Sequence, residues 1–66
     1  MTITEVSDAI GEKVIYNGKE HVLTACIKRR DAKGSIYFQA EVVDKRTNTA
    51  YICRPGDLVM GKEEGK

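Results

Sequence analysis

A chain of 66 residues is short enough to form one domain, and its eleven basic and ten acidic side chains leave a net charge of only +1. So small a domain has little room for a deep catalytic cavity, and so balanced a charge is unlike the strong basic excess of a general nucleic-acid coat. No apolar run reaches the ~20 residues of a membrane span, and the N-terminus lacks the features of a signal peptide. We therefore expect a cytoplasmic protein without membrane contact, in which the two cysteines are reduced.

The chain opens with the pattern of a short helix. Residues 2–11 carry apolar side chains at helical spacing, at Ile3, Val6, Ala9 and Ile10. Thr2 and Glu5 fit a capping box, and Gly11 suits a left-handed position at the end of a helix. So short a helix is not stable alone, so we expect it to lie against the rest of the fold.

Asn17-Gly18 is the strongest local signal, because a two-residue type I′ hairpin turn needs positive φ at both central positions. The pattern predicts strands at residues 13–17, 20–30, 35–44 and 49–54. Asp31 and Gly34 favour a type I turn before the third strand, and Asn48 is expected to be left-handed before the fourth.

The end of the chain is less regular. Residues 57–60 are predicted to form a short fifth strand or a 3₁₀ turn after Pro55-Gly56, which ends the fourth strand. Residues 1–60 are predicted to form one small β domain, and residues 61–66 a flexible tail.

Alternation along the third strand defines two faces. Ile36, Phe38, Ala40 and Val42 are assigned to the core, and Tyr37, Gln39, Glu41 and Val43 to the outer face. The predicted register between the second and third strands pairs Leu23 with Val42, Ala25 with Ala40, and Ile27 with Phe38. We prefer it to a register shifted by one residue, which turns Val22, Thr24 and Cys26 inward.

These elements predict an all-β fold with a minor α component. The strands form an antiparallel meander of four to five strands, curled into a small half-open SH3-like barrel with a short N-terminal helical turn. Curling is expected because a flat meander leaves one face uncovered. The alternative is a flatter meander with the helix on one face.

No motif points to catalysis or to a metal. Cys26, Cys53 and His21 lack the spacing of a zinc site, and two strand spacings of ~9.5 Å are too far for the cysteines to be bridged. In a regular strand His21 and Cys26 point to opposite faces, which disfavours a catalytic pair. We therefore predict a protein that is not an enzyme and that has no cofactor and no metal.

The first candidate site is a basic patch. The turn between the second and third strands lies at the end of the meander opposite the other hairpins, and the fourth strand is expected to end there too. Cations at that end, flanked by Tyr37, suit phosphates with an aromatic ring for stacking. The predicted nucleic-acid-binding residues are Lys28, Arg29, Arg30, Lys33, Arg54 and Tyr37. The alternative is that these charges serve only solubility.

The second candidate site is a free sheet edge beside an apolar outer face. Such edges accept a strand from a partner or from another copy of the chain. The predicted protein-binding residues are Tyr37, Tyr51, Val22 and Val43.

Residues 10–23, Ile-Gly-Glu-Lys-Val-Ile-Tyr-Asn-Gly-Lys-Glu-His-Val-Leu, resemble the opening of many small bacterial SH3-like barrels. Residues 23–27 and 36–44 are similar to short uncharacterised proteins of Gram-positive conjugative transposons and phages. The resemblance covers residues 10–53 and carries no catalytic residues with it. It implies an accessory or regulatory binding role in a bacterial mobile element.

The sequence as a whole predicts a non-enzymatic binding module, first a protein-interaction adaptor or regulator, with a nucleic-acid-binding accessory protein as the alternative. We expect a protein partner and a monomer or weak homodimer.

Overall fold

The computed structural model describes residues 1–61. One short helix precedes an antiparallel sheet of five strands, as the sequence predicts. The elements are α1 (Ile3–Asp8), β1 (Lys13–Tyr16), β2 (Lys19–Arg30), β3 (Ile36–Asp44), β4 (Thr49–Cys53), a 3₁₀ turn (Pro55–Asp57) and β5 (Leu58–Met60). The predicted tail falls outside the described residues except for Gly61, whose N–H donates to Lys13 O at 3.1 Å and so extends the sheet.

The local signals at the start of the chain are confirmed. Glu5 N–H donates to Thr2 Oγ1 at 3.2 Å, and Thr2 N–H donates to Glu5 Oε1 at 2.7 Å, so the capping box is complete. Asn17 and Gly18 have φ of 54° and 78°, as a type I′ turn requires. The predicted left-handed Asn48 has a φ of 57°.

The sheet is curved but not closed. Its strand order is β4-β3-β2-β1-β5, so β4 and β5 are the two edges, although they are neighbours in the chain. In a flat sheet the edges would lie four strand spacings apart, ~19 Å. The five steps from Cys53 to Leu58 span at most ~18 Å fully extended, and the 3₁₀ turn shortens that reach. The short link therefore holds the sheet in a curve.

The helix covers one face of this sheet, which we call the inner face; the other is the outer face. Val6 and Ala9 of the helix segment pack there against a row of strand residues. The buried apolar cluster is Val6, Ala9, Val14, Leu23, Ala40, Val42, Cys53 and Leu58. The assignment of Ala40 and Val42 to the core is therefore confirmed.

The predicted register is right at Leu23 and Val42, which face each other, and wrong beyond them. Thr24 is an extra residue, a β-bulge, after which Cys26 faces Ala40 and Ile27 faces Gln39. The cause is the turn. Asp31 N–H donates to Ser35 O at 2.9 Å and Gly34 has a φ of 89°, so the loop has three residues rather than two. That loop shifts the pairing by one, and the bulge restores the register that the core needs.

The bulge reverses the faces predicted for β2. Cys26 shares the inner face with Ala40, whereas Ile27 lies on the outer face. Cys26 consequently packs against the core, in the place predicted for Ala25 and Ile27. On β3 the predicted alternation holds, but the assignment of Phe38 and Ile36 to the core is wrong. Phe38 lies outside the buried cluster and Ile36 is exposed, because no element of residues 1–61 covers that end of the strand.

Candidate functional site

The most distinctive surface is the outer half of the β2–β3 hairpin, residues 25–39, which we call the arm; the rest of the described chain is the body. β1 pairs with β2 only as far as Val22, and β4 pairs with β3 only from Ala40. In the arm, β2 and β3 therefore pair only with each other. The Cα radius of gyration, 12.2 Å, exceeds the ~10.5 Å expected for a compact chain of this size, consistent with a projecting arm.

A well-bonded turn forms the tip of the arm. Asp31 Oδ1 accepts the N–H groups of Lys33 and Ser35, both at 2.9 Å. Gly34 N–H donates to Asp31 O at 3.0 Å, which confirms the predicted turn between these two residues. The guanidinium of Arg30 donates to Gly34 O at 3.2 Å, so this cation is held near the tip.

Four of the predicted phosphate-binding cations lie on the arm and are exposed. Arg29 faces Tyr37 on the outer face, while Lys28 faces Phe38 and Arg30 faces Ile36 on the inner face. The fourth is Lys33 at the tip. Asp31 is the one acidic residue of the arm, giving it a net charge of +3. Neither ion pair found among residues 1–61 involves an arm cation, so all four are available to an anion.

Arg54 lies towards the base of the arm rather than at its tip. It follows Cys53, which faces Ala40, and Ala40 lies four rows, ~13 Å along the strand, from the row of Arg30 and Ile36. Its part in the predicted patch stays a prediction. Arg54 starts the 3₁₀ turn, where its N–H donates to Asp57 Oδ2 at 3.3 Å. It lies at the base of the arm.

The predicted protein-binding residues divide between the two faces. Val22, Val43 and Tyr37 share the outer face, as predicted. Tyr51 faces Val42 and therefore lies on the inner face, which corrects its assignment to the outer set. Ile52, which is absent from the predicted set, faces Glu41 and is 49% exposed on the outer face. The signal that identifies it is the pairing of β4 with β3, which the turn at residues 45–48 sets.

At the opposite end of the inner face from the arm, aromatic rings enclose a histidine. The His21 ring centroid lies 5.4 Å from that of Tyr16 and 5.7 Å from that of Tyr51, both edge-on. His21 Nδ1 is 2.9 Å from Lys19 O. Asp44 is also buried; its carboxylate accepts the Arg46 N–H at 2.9 Å, and this hydrogen bond holds the pKa of Asp44 below its ordinary value. His21 and Asp44 are thus the buried polar side chains at this end of the core, while Tyr51 stays 40% exposed.

The cysteines do not assemble a reactive centre with this histidine. The bulge places Cys26 on the same face as His21, contrary to the prediction, but His21 lies two positions before Leu23 and Cys26 beyond the bulge. The two are separated by about four rows, ~13 Å. Cys53 is buried, and burial, with a contribution from Asp57, raises the pKa of its thiol. A raised pKa disfavours the reactive thiolate.

Among residues 1–61 the structure contains no group of three or more His, Cys, Asp or Glu side chains placed to hold a metal ion. Within the same range, no helix has the length and apolar character to cross a membrane. A shallow groove of about 370 Å³ lies at the end opposite the arm, beside Lys19, His21 and Asp44. Two cations lining this groove are neutralised in ion pairs, Lys13 with Glu20 at 3.6 Å and Arg46 with Asp44 at 3.4 Å.

Comparisons with protein-family models, with curated proteins and with solved structures found no match. A functional proposal for this chain therefore depends on its own geometry, and the arm brings together four exposed cations that belong to neither ion pair of residues 1–61.

Proposed function

We propose that this protein is a non-enzymatic binding module and that the arm is the surface by which it binds nucleic acid. The observation that carries the proposal is the set of four exposed cations, none of them in an ion pair among residues 1–61, on a two-stranded ribbon with one acidic residue. Phosphate contacts by Lys and Arg supply most of the affinity of sequence-independent nucleic-acid binding.

The shape of the arm suits this role. The major groove of DNA, ~12 Å wide, admits a two-stranded β-ribbon. Arg29 lies on one face of the ribbon and Lys28 and Arg30 on the other, so both faces offer cations to phosphates. Tyr37, 40% exposed beside Arg29, offers a ring for stacking on an unpaired base.

The charge count predicts how strongly salt weakens binding. Four phosphates neutralised on duplex DNA give a slope of about −3.6 for log K against log salt concentration, and about −2.8 on a single strand. We expect weak binding, measurable at about 50 mM salt and largely lost by about 200 mM.

The experiment is a fluorescence-anisotropy titration of the full chain into labelled duplex and single-stranded DNA of about 20 nucleotides over this salt range. The Arg29→Gln/Arg30→Gln variant removes two arm cations, and we expect its duplex slope to fall by about 1.8. The matched control, Lys19→Gln/Lys45→Gln, removes the same charge from exposed positions at the other end of the sheet. Absence of binding at about 50 mM salt, or equal loss in both variants, would refute the proposal.

A protein-interaction adaptor is the second candidate, favoured by the outer face. Val22 and Val43 face each other there, only partly buried, and no element among residues 1–61 covers them as α1 covers the inner face. A partner contacting this face would meet an apolar stripe that extends to Ile52. If the DNA titration is negative, this candidate is the one to test next.

The cellular setting belongs to the same proposal. A cytoplasmic location, an SH3-like relationship and a role in a bacterial mobile element are supported by the sequence resemblance over residues 10–53. Neither candidate function calls for a cofactor or a metal.

A further inference from the structure

The two edges of the sheet are finished in different ways. At the β5 edge, the N-terminal ammonium of Met1 donates to Leu58 O at 2.9 Å and to Pro55 O at 3.0 Å. That strand has only three residues, Leu58–Met60. At the β4 edge, Thr49–Cys53 pairs with β3 on one side, and among residues 1–61 no backbone group bonds its other side.

The β4 edge also lacks the usual protection against pairing. Natural edge strands carry charged residues, proline or a bulge, which discourage a second strand. Thr-Ala-Tyr-Ile-Cys contains no charge and no proline, and its pairing with β3 has no bulge. Tyr51 and Ile52 are 40% and 49% exposed.

We propose that β4 of a second copy of this chain pairs antiparallel with β4 about a two-fold axis, joining two sheets into one of ten strands. This inference goes beyond the proposed binding function and does not depend on it. An axis at Tyr51 uses the whole strand: it sets Thr49 opposite the partner's Cys53 and Ala50 opposite the partner's Ile52.

Side-chain size supports this register. Ala50 and Ile52 both lie on the outer face, since they face Val43 and Glu41 of β3. The two-fold arrangement therefore sets a small side chain against a large one in two symmetric rows. Such cross-strand pairs are the unit of sheet stabilisation.

Charge also favours a second copy over an unrelated partner. The edge is neutral, so it offers nothing to attract an acidic or a basic segment. Antiparallel pairing sends the two arms away from opposite ends of the joined sheet. The cations of each arm begin at Lys28, two rows beyond Cys53 and four rows, ~13 Å, from the axis. That is farther than the ~10 Å over which charges interact at 0.1 M salt.

The interface is small, so we expect a weak dimer. A five-residue edge buries much less than the ~1,600 Å² of a standard stable interface. A dissociation constant on the order of 100 µM is the corresponding expectation.

The test is sedimentation equilibrium of the full chain from about 10 µM to about 1 mM, a range that spans the expected dissociation constant. We expect the mean mass of the wild-type chain to rise towards that of a dimer. In the Ile52→Lys variant the mean mass should stay near that of the monomer, because the substitution raises the dissociation constant about tenfold or more. The matched control is Ile10→Lys, which makes the same substitution at a residue outside the sheet whose side chain is 48% exposed. This variant should dimerise as the wild type does. Circular dichroism verifies that each variant folds.

A second measurement tests the register. In the Tyr51→Cys variant the new thiols of two copies face each other at the axis, so mild oxidation should give a covalent dimer, while Thr4→Cys on α1 should not. A wild-type chain that stays monomeric at about 1 mM, or Ile10→Lys weakening the dimer as much as Ile52→Lys, would refute the proposal. Equal cross-linking of the Tyr51→Cys and Thr4→Cys variants would also refute the proposal.

Discussion

The β2–β3 hairpin is one continuous ladder, but its two halves differ in how far neighbouring elements bury them. In the body, Leu23 and Val42 face each other fully buried beneath α1. In the arm, Arg29 faces Tyr37 with both side chains exposed. The difference arises because β1, β4 and the helix all stop near the bulge at Thr24. Strand length therefore follows from the local pattern, whereas burial follows from what the neighbouring elements cover.

Both ion pairs found among residues 1–61 lie in the body. In the body, Glu20 pairs with Lys13 and Asp44 pairs with Arg46. In the arm, the cations have no such partners among residues 1–61. This separation means that substitutions in the arm should alter binding with little effect on stability, while substitutions in the body should do the reverse.

The largest expected effect comes from shortening an apolar side chain in each half. Leu23→Ala should lower the free energy of unfolding by about 2–5 kcal/mol, because Leu23 is 0% exposed and its loss leaves a cavity. Ile36→Ala, at a side chain 43% exposed in the arm, should cost about 0.5 kcal/mol or less. Urea unfolding followed by circular dichroism measures both. Similar losses would show that the arm is packed as tightly as the body.

A smaller effect compares the two hairpin turns. Gly18 and Gly34 have φ of 78° and 89°, a region in which an alanine is strained by about 1–2 kcal/mol, and neither has a neighbouring atom that an added Cβ would meet. Gly18→Ala strains the body and should lower global stability by about 1 kcal/mol. Gly34→Ala strains only the arm, which can fray to relieve the strain, so its global cost should be smaller.

Urea unfolding gives the two global values, and hydrogen exchange of the arm amides shows where the strain is relieved. Exchange should be faster in the arm of Gly34→Ala and unchanged in the arm of Gly18→Ala. Equal losses of global stability would mean that arm and body unfold as one cooperative unit.

Local rules predicted most of this fold from the sequence. The capping box, the Asn17-Gly18 turn and the left-handed Asn48 depend on neighbouring residues, and each is confirmed. The register of β2 failed because it depends on a loop and a core at once. The three-residue loop ending at Gly34 shifts the pairing of β2 with β3 by one residue, whereas the core requires the unshifted pairing of Leu23 with Val42. The bulge at Thr24 absorbs this difference of one residue.

The candidate site was predictable to a lesser degree for the same reason. The four arm cations are close in sequence, so their common location follows from one hairpin. Arg54 and Tyr51 belong to β4, and their positions depend on where that strand stops and which face it presents. Both depend on long-range strand pairing, for which a single sequence gives only indirect evidence, through the lengths and types of its turns.

The smallest expected effect concerns Asp44, the aspartate that begins the β3–β4 turn in the body. Asp44 is buried in the body and its pKa is lowered, chiefly by the hydrogen bond from Arg46 N–H. The unfolded chain therefore binds the proton more readily than the folded one, so this contribution to stability is complete above about pH 4 and is lost as the pH falls through the lowered pKa. Asp44→Asn should remove this part of the acid sensitivity between about pH 5 and pH 2. Urea unfolding across this range measures both curves, and parallel curves for Asp44→Asn and the wild type would contradict the assignment of the lowered pKa to Asp44.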